Sequence, residues 1–435
     1  MTVSQRVKDK VKIGLIGCGT VGGGVVKLLY KEGENYQDRF GPEIELSKVC
    51  SRTRSKIEAL GVPDERIVES YHDIVDDPDI DIVVELVGGT GFAHDVVVDA
   101  LKAGKNVVTA NKALLASCGA ELFHLADAGT GSISFEAAVG GGIPIVDPLK
   151  RGLTGNRIDY IAGILNGTTN FMLTKMADEG VSYEEALAEA QRLGYAEADP
   201  TADVEGYDAA AKIALLASIV FNSRVHMEDV YTDGISSLAP ADFKNAASMG
   251  YVIKLLAIAR RTDSGIDVRV HPAMLPAEHP MASVNGVYNA VYVCGEPIGD
   301  VMFYGQGAGE GATASAVMGN IIDAARCIAE GSPVGFPCTC IYHLPHMPIG
   351  ELETCFYLRI EVVDRPGVLH AVAEVFDELG ISIKAMTQAG TQDGLCELNF
   401  MTHEAREADV KEALERIEKL DCVERIGTFI RIEEQ

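Results

Sequence analysis

Lys212 closes a stretch, GYAEADPTADVEGYDAAAK (residues 194–212), that carries five carboxylates and a single cation. Asp208 and Lys212 are four residues apart, so on a helix they share a face. Around the lysine stand Ala209, Ala210, Ala211, Ile213 and Ala214, which offer little polar surface. A lysine buried there is costly unless paired, and desolvation lowers its pKa. Such a group can hand a proton to a developing alkoxide near neutral pH. Glu197, Asp199, Asp203 and Asp208 then supply carboxylates that could orient the lysine or hold a substrate ammonium. The competing reading is a structural ion pair at a helix entrance.

A second set of residues points to a nucleotide. Gly17-Cys18-Gly19-Thr20-Val21-Gly22 is a GxGxxG lying between a strand-like VKIGLIG and a helical TVGGGVVKLLYKEG. Gly17 permits a tight turn, Gly19 lets backbone approach a pyrophosphate, and Gly22 lets the helix sit against the strand. The phosphates would meet N–H groups at the helix start. After the next strand comes Cys50-Ser51-Arg52-Thr53-Arg54-Ser55-Lys56, with no acid to hold a ribose 2′-hydroxyl. Arg52 suits a 2′-phosphate, since guanidinium pairs bidentately with phosphate oxygens, so NADP is favoured over NAD. The glycines stand further from Arg52 than usual, which we read as a loop insertion, EGENYQDRFGPE. Two polar segments complete the inventory. Thr109-Ala110-Asn111-Lys112 follows a strand, and Asn166-Gly167-Thr168-Thr169-Asn170 follows IAGIL, offering hydroxyls, an amide and flexible backbone.

The elements that must position these groups fall into blocks. Residues 11 to 136 alternate apolar strands with helical patterns, which indicates an α/β, doubly wound parallel sheet of the Rossmann type. We take 11–140 as the nucleotide-binding domain. Residues 141–303 read as an α+β domain for substrate binding and dimerisation, with a capping box at Ser182 and Glu185. VYNAVYVCGE and GDVMFYGQG suggest a hairpin, followed by a helix from about Thr313 to Ala329. Residues 336–353, rich in Pro and Gly, suggest a linker. From 354 to 435 the order is βαββαβ, a ferredoxin-like arrangement.

Composition narrows the partners. The 435-residue chain is 47% hydrophobic and carries a net charge of −27, which argues against nucleic acid and anionic membrane as bulk partners. Ten cysteines are scattered, with no CxxC and one close pair, Cys338-Thr-Cys340. Reduced thiols and a cytoplasmic location follow, with neither a signal-peptide core nor a membrane-spanning run in the sequence.

Taken together, the segments resemble homoserine dehydrogenase. Residues 190–212, AQRLGYAEADPTADVEGYDAAAK, satisfy every position of that family's signature, and ANKALL, GILNGTTNFM and YGQGAGEGATASAV also match. The resemblance spans about residues 11–340. It implies NAD(P)-linked interconversion of L-aspartate 4-semialdehyde and L-homoserine in threonine, methionine and isoleucine biosynthesis. Lys212 would be the proton donor, Asp208 its partner, and Lys112 a second catalytic lysine between cofactor and substrate. Glu197 and Asp203, with Asn166, Gly167 and Thr168, would bind substrate. Gly17, Gly19, Thr20, Val21, Gly22, Arg52, Lys112, Gly194 and Gly309 would bind cofactor, and the chain at about 304–335 would return to the nucleotide domain. The family also holds a monovalent cation, here sodium, at positions matching Glu136, Val139, Gly141 and Ile143. The C-terminal block, with Asp364-Arg365-Pro366-Gly367 at its first turn, looks like an ACT domain, which implies a threonine effector. A homodimer or homotetramer is expected. An aldehyde-phosphorylating enzyme would need a nucleophilic cysteine in a suitable setting. A non-enzymatic amino-acid sensor would leave the nucleotide motif and Lys212 unexplained.

Overall fold

The apolar runs between residues 10 and 134 form one parallel sheet in the computed structural model, which describes residues 7–390 and 394–434. Its strands are β1 (Lys10–Ile16), β2 (Glu43–Cys50), β3 (Ile67–Val68), β4 (Ile82–Glu85), β5 (Asn106–Thr109) and β6 (Ser132–Ser134). They lie in the order β3-β2-β1-β4-β5-β6, so the winding direction switches between β1 and β4. Loops leaving the carboxyl ends of those two strands diverge there and open a crevice. Helices α1 (Thr20–Phe40), α2 (Arg54–Glu58), α3 (His72–Val75), α4 (Phe92–Lys102) and α5 (Lys112–Ala128) make the connections. The expected insertion EGENYQDRFGPE is a loop only at its end. α1 runs unbroken to Phe40 and stops at Gly41, whose φ of 107° favours glycine and whose N–H closes on Gln37 O at 2.8 Å.

The next block begins with β7 (Arg157–Ile164), followed by helices α6 (Gly167–Glu179), α7 (Tyr183–Arg192), α8 (Thr201–Val204) and α9 (Tyr207–Phe221). After β8 (Tyr231–Thr232) and α10 (Pro240–Ser248) come two long strands, β9 (Tyr251–Thr262) and β10 (Gly265–Pro276), paired antiparallel from end to end. β7 pairs with β9, and α6 and α10 pack on β9. The capping box at α7 is formed: Glu185 N donates to Ser182 Oγ at 3.2 Å and Ser182 N to Glu185 Oε2 at 2.9 Å.

The hairpin β11 (Tyr288–Glu296) and β12 (Gly299–Gln306) leads into α11 (Glu310–Glu330). α11 lies against α1, and its Ala314, Val317, Met318 and Ile321 join a core made of Val11, Ile13, Leu15, Val25, Val49 and Ile82. A Cβ on Gly24 of α1 would fall 2.8 Å from the Ala314 Cβ, so the two helices approach at a glycine.

The C-terminal block is β13 (Glu353–Val363), α12 (Val368–Glu378), β14 (Ile383–Gly390), β15 (Leu395–Thr402), β16 (Ala405–Arg406), α13 (Glu407–Ile417) and β17 (Val423–Ile432). The order β17-β13-β15-β14, antiparallel throughout, is the ferredoxin-like sheet that the βαββαβ pattern predicts. Alternation along β13 sorts its two faces. Phe356, Leu358, Ile360 and Val362 pack under α12 and α13 with Val372, Phe376, Val410 and Ile417. Tyr357 and Arg359 point the other way, toward α10.

The Pro- and Gly-rich segment before β13 is tied down: Ile266 N donates to Pro345 O and Met347 N to Ile266 O, both at 2.8 Å. β17 also pairs in parallel with β10, through Ala273↔Arg431 and Met274↔Ile432.

By contact the chain divides into two compact units. The first takes the chain up to Asp159, with Ala211–Met227 and Asn289–His343; the second takes Tyr160–Ala210, Glu228–Tyr288 and the chain from Leu344.

Candidate active site

In the first unit the glycine motif forms the turn between β1 and α1. Gly17 has φ +97°, and a Cβ there would fall 2.6 Å from the Leu86 carbonyl, so only glycine fits. A Cβ on Gly22 would lie 2.1 Å from Gly17 O, which is the close helix–strand approach expected of the motif's third glycine. Gly19, the residue before α1, has open space where a side chain would be. A phosphate can therefore reach the first-turn N–H groups at Thr20 and Val21, which have no partners inside the helix.

The β1–β2 register settles where Arg52 stands. Ile16 is opposite Cys50, and Gly17 N donates to Cys50 O at 2.9 Å, so β2 ends alongside the glycine turn. Arg52 lies two residues beyond, exposed, and among the described residues it has no ion-pair partner. Arg54 is held by Glu58 at 2.8 Å and Asp64 at 2.9 Å. The long helix α1 accounts for the unusual spacing without displacing Arg52.

The loops after β4 and β5 are organised by a carboxylate that sequence reading passed over. Glu85, fully buried, accepts Val87 N (2.7 Å) and Gly88 N (3.2 Å) on Oε1 and the Thr109 hydroxyl (2.7 Å) on Oε2. Thr109 Oγ1 in turn accepts Asn111 N, and Asn111 Nδ2 donates to Gly89 O at 2.7 Å. Asn111 Oδ1 also caps α5 by accepting Leu114 N. Lys112, first residue of α5 and half-buried, is thus held by a helix start whose cap is anchored to the neighbouring loop. The signal was the acid ending an otherwise wholly apolar strand, IVVE.

Lys212 lies in α9 with 8% exposure, amid the buried alanines and Ile213 that the sequence placed around it. Asp208, half-buried, stands one turn earlier on the same helix.

In the second unit the acids separate by environment. Asn166 is the N-cap of α6: its Oδ1 accepts Thr169 N at 2.9 Å. Its Nδ2 donates to Asp203 Oδ1 at 2.7 Å and to Asp208 Oδ2 at 3.0 Å. One amide therefore draws two of the predicted carboxylates into a single negative focus. The NGTTN segment is not a flexible loop; Gly167 and Thr168 form the rigid first turn of α6. Thr168 Oγ1 donates to Tyr195 O at 2.7 Å, which fixes the turn containing Gly194, a residue with φ +77°. Glu197 is exposed, and its backbone carbonyl accepts Gln191 Nε2. Asp199 is occupied otherwise, accepting Thr201 N (3.1 Å) and the Thr201 hydroxyl (2.6 Å) in the turn that leads into α8. Asn170, at the end of the same segment, is buried and donates to the carbonyls of Val284, Gly286 and Tyr288, a structural role and not a ligand-facing one.

Glu136, in the first unit, is buried, and its carboxylate accepts Ile145 N (2.5 Å), Val146 N (2.9 Å) and Asp147 N (2.6 Å). Burial pushes its carboxyl pKa up, while the N–H groups of Asp147, Ile145 and Val146 pull it down. Three donors leave one of about four lone-pair directions free. Val139, Gly141 and Ile143 are buried beside it in sequence, with Gly140 and Gly141 at φ +71° and +57°. Among the described residues no group of three or more His, Cys, Asp or Glu side chains could hold a metal ion, so a cation here would rest on one carboxylate and backbone carbonyls. A hard monovalent ion is compatible with that donor set. Gly309, before α11, has φ +116° and open space around it. No helix among the described residues is long and apolar enough to cross a membrane.

Three family models match in succession: the NAD-binding domain of homoserine dehydrogenase over residues 17–136, homoserine dehydrogenase over 144–322, and the ACT domain over 356–422. The homoserine dehydrogenase of Synechocystis sp. is 45% identical over 436 residues, covering 97% of this chain and 99% of that protein. That of Corynebacterium glutamicum is 45% identical, covering 97% and 96%. The crystal structure of a homoserine dehydrogenase from Thiobacillus denitrificans matches with a TM-score of 0.93 at 42% identity over 99% of both chains. A hyperthermophilic archaeal homoserine dehydrogenase, solved in complex with NADPH, matches with a TM-score of 0.62 at 28% identity, covering 72% of this chain and 97% of that one.

Proposed function

This chain belongs to the homoserine dehydrogenase family, oxidoreductases that act on a CH–OH group with a nicotinamide cofactor, and on that premise we propose a specific chemistry and control for it. The reaction is the reversible reduction of L-aspartate 4-semialdehyde to L-homoserine, with NADPH preferred. The observation that carries the reading is the convergence of Asp203 and Asp208 on Asn166, one helical turn before the buried Lys212.

The bound cofactor supplies the hydride that reduces the aldehyde carbon. Lys212 delivers a proton to the aldehyde oxygen as negative charge develops there, and Asp208 supports the lysine. Glu197 and Asp203 hold the substrate ammonium, with Asn166, Gly167 and Thr168 shaping the same wall. Lys112 stands between cofactor and substrate. Gly17, Gly19, Thr20, Val21 and Gly22 cradle the phosphates, Gly194 and Gly309 line the cofactor cleft, and Arg52 pairs with the 2′-phosphate. A monovalent cation, sodium by our reading, would be held by Glu136 with the carbonyls of Val139, Gly141 and Ile143. Bound there, it would order the loop that carries those carbonyls.

Loss of NADPH absorbance on adding aspartate semialdehyde tests the activity; a folded protein that gives no turnover would sink the reading. We further assign the ACT domain a threonine effector. Gly367, with φ +96° and open space around it, leaves backbone room for a small amino acid at the start of α12. Gly367→Val should remove threonine inhibition and keep turnover, and full inhibition retained in that variant counts against the assignment.

A further inference from the structure

The chain's one close cysteine pair lies outside everything the dehydrogenase chemistry uses. Arg224 Nη2 stands 3.2 Å from the sulfur of Cys338. Cys340 follows two residues on, and its Sγ lies 3.7 Å from the carbonyl of Ser218 on α9. Both cysteines are half-buried, and the residues beside them, Phe336 and Ile341, are 40% and 71% exposed. A cavity of about 140 Å³, lined in part by Lys150, Phe336 and Thr339, adjoins a smaller one bounded by Phe123, Lys150, Arg224, Cys338 and Cys340. A reagent of a few heavy atoms can therefore approach.

The charges around the pair favour an anion on one sulfur. The Cys340 hydrogen bond and then Arg224 hold Cys338 well below the ordinary thiol range, against burial and the carboxylate of Asp127. Cys340 is pushed up by its hydrogen bond to Cys338 and by burial, with Arg224 and Lys150 acting in the opposite direction. Lys150 is itself pulled down by burial and sits over the rings of Phe123 and Phe135. A partly exposed sulfur in an electropositive setting, next to a second thiol, is the arrangement of a reactive and resolvable cysteine.

We propose that Cys338 and Cys340 form an oxidation site for hydroperoxides, with the Cys338 sulfur as nucleophile and Cys340 as the resolving thiol. The Cys338 sulfur attacks the nearer peroxide oxygen; an S–O bond forms, the O–O bond breaks, and the leaving oxygen departs as water or an alcohol once protonated. The Cys340 sulfur then attacks the sulfenic sulfur, forming S–S and expelling hydroxide, which takes up the Cys340 proton as water. Two thiols lose two electrons and two protons in all, and the peroxide is reduced. Disulfide formation withdraws the Cys340 thiol from Ser218, on the helix that carries Lys212.

The test uses the full-length reduced protein. Brief iodoacetamide treatment at mildly acidic pH, followed by peptide mass spectrometry, should label Cys338 at least about tenfold faster than half-buried Cys118. Hydrogen peroxide should give a 338–340 disulfide, and in Cys340→Ser dimedone should trap a sulfenic acid on Cys338. Arg224→Gln should slow the labelling by about tenfold. Equal labelling of Cys338 and Cys118, peroxide products confined to other cysteines, or an unchanged rate in a folded Arg224→Gln overturns the proposal. Should that variant not fold, the wild-type pH profile decides. Labelling of Cys338 that persists below the ordinary thiol range supports the site, and labelling that falls away through that range overturns it.

Discussion

The guanidinium of Arg359 in β13 meets the carboxylate of Asp242 in α10, Nε to Oδ1 at 2.7 Å, and both side chains are buried. Arg359 Nη2 reaches Asp242 Oδ2 at 3.3 Å, and the Thr428 hydroxyl bonds the same oxygen at 2.9 Å. Asn245, one turn further along α10, donates to Tyr357 and Asn399 at 3.0 Å each. The ferredoxin-like block is thus built onto its neighbour through buried polar contacts. Removing one partner of a buried pair strands a charge, so Asp242→Ala should lower stability by about 3–5 kcal/mol in denaturant melts. A loss of under about 1 kcal/mol would show that the pair is effectively solvated.

Lys212→Ala should reduce turnover by about a hundred- to ten-thousandfold while NADPH affinity, read by fluorescence titration, stays nearly constant. A variant that binds NADPH poorly yet turns over normally at saturation would contradict the proton-donor role.

Arg52→Ser should lower kcat/KM for NADPH by about ten- to a hundredfold and leave NADH rates little changed, as expected when one charge-assisted phosphate contact is lost. Equal losses with both cofactors would mean that Arg52 serves the loop and not the 2′-phosphate.

Glu85→Ala orphans three donors at once, each costing about 1–3 kcal/mol, and loosens the loops on either side of Lys112. Glu85→Gln keeps one acceptor oxygen. We expect the alanine variant to lose both stability and cofactor KM, with partial recovery in the glutamine variant. Normal kinetics in Glu85→Ala would deny it a positioning role.

Lys254, buried and bonded to Val284 O at 2.6 Å and Asn285 Oδ1 at 2.8 Å, has its pKa lowered by burial to about 8. The folded state therefore releases this proton before the unfolded state does. Between pH 8 and the ordinary lysine value the unfolded chain binds more protons, so stability rises with pH there, by about 3 kcal/mol from this group. Lys254→Met should flatten that rise in urea melts across the same interval; a slope identical to wild type would refute it.

Where sequence reading succeeded, local chemistry and tertiary packing agreed. The glycine turn, the Ser182 cap and the alternating β13 each announce themselves within a few residues. β9 did not, because YVIKLLAIARRT is buried along its middle on both faces and shows no period of two. The second half of α1, EGENYQDRF, is largely exposed, so it lacks the apolar spacing that marks a helix. Gly167, Thr168 and Thr169 are weak helix formers, and only the Asn166 cap makes them a helix start. Asn166 itself was legible as polar. Its role as a bridge was not, since Asp203 and Asp208 reach it from 37 and 42 residues away.

The parallel pairing of β10 with β17 has a consequence for biosynthesis. β9 is ready to pair with Ala273 and Met274 at once, but their second ladder partners lie in β17, so during translation that stretch of the β10 edge waits, open, while more than a hundred residues are still being made. Buried Arg269 waits too, for the carboxylate of Glu433 at 2.7 Å. An unpaired strand edge invites association with other nascent chains. Premature release of the polypeptide would thus be betrayed in the second unit, well before β17 itself, and quality-control machinery would meet the exposed β10.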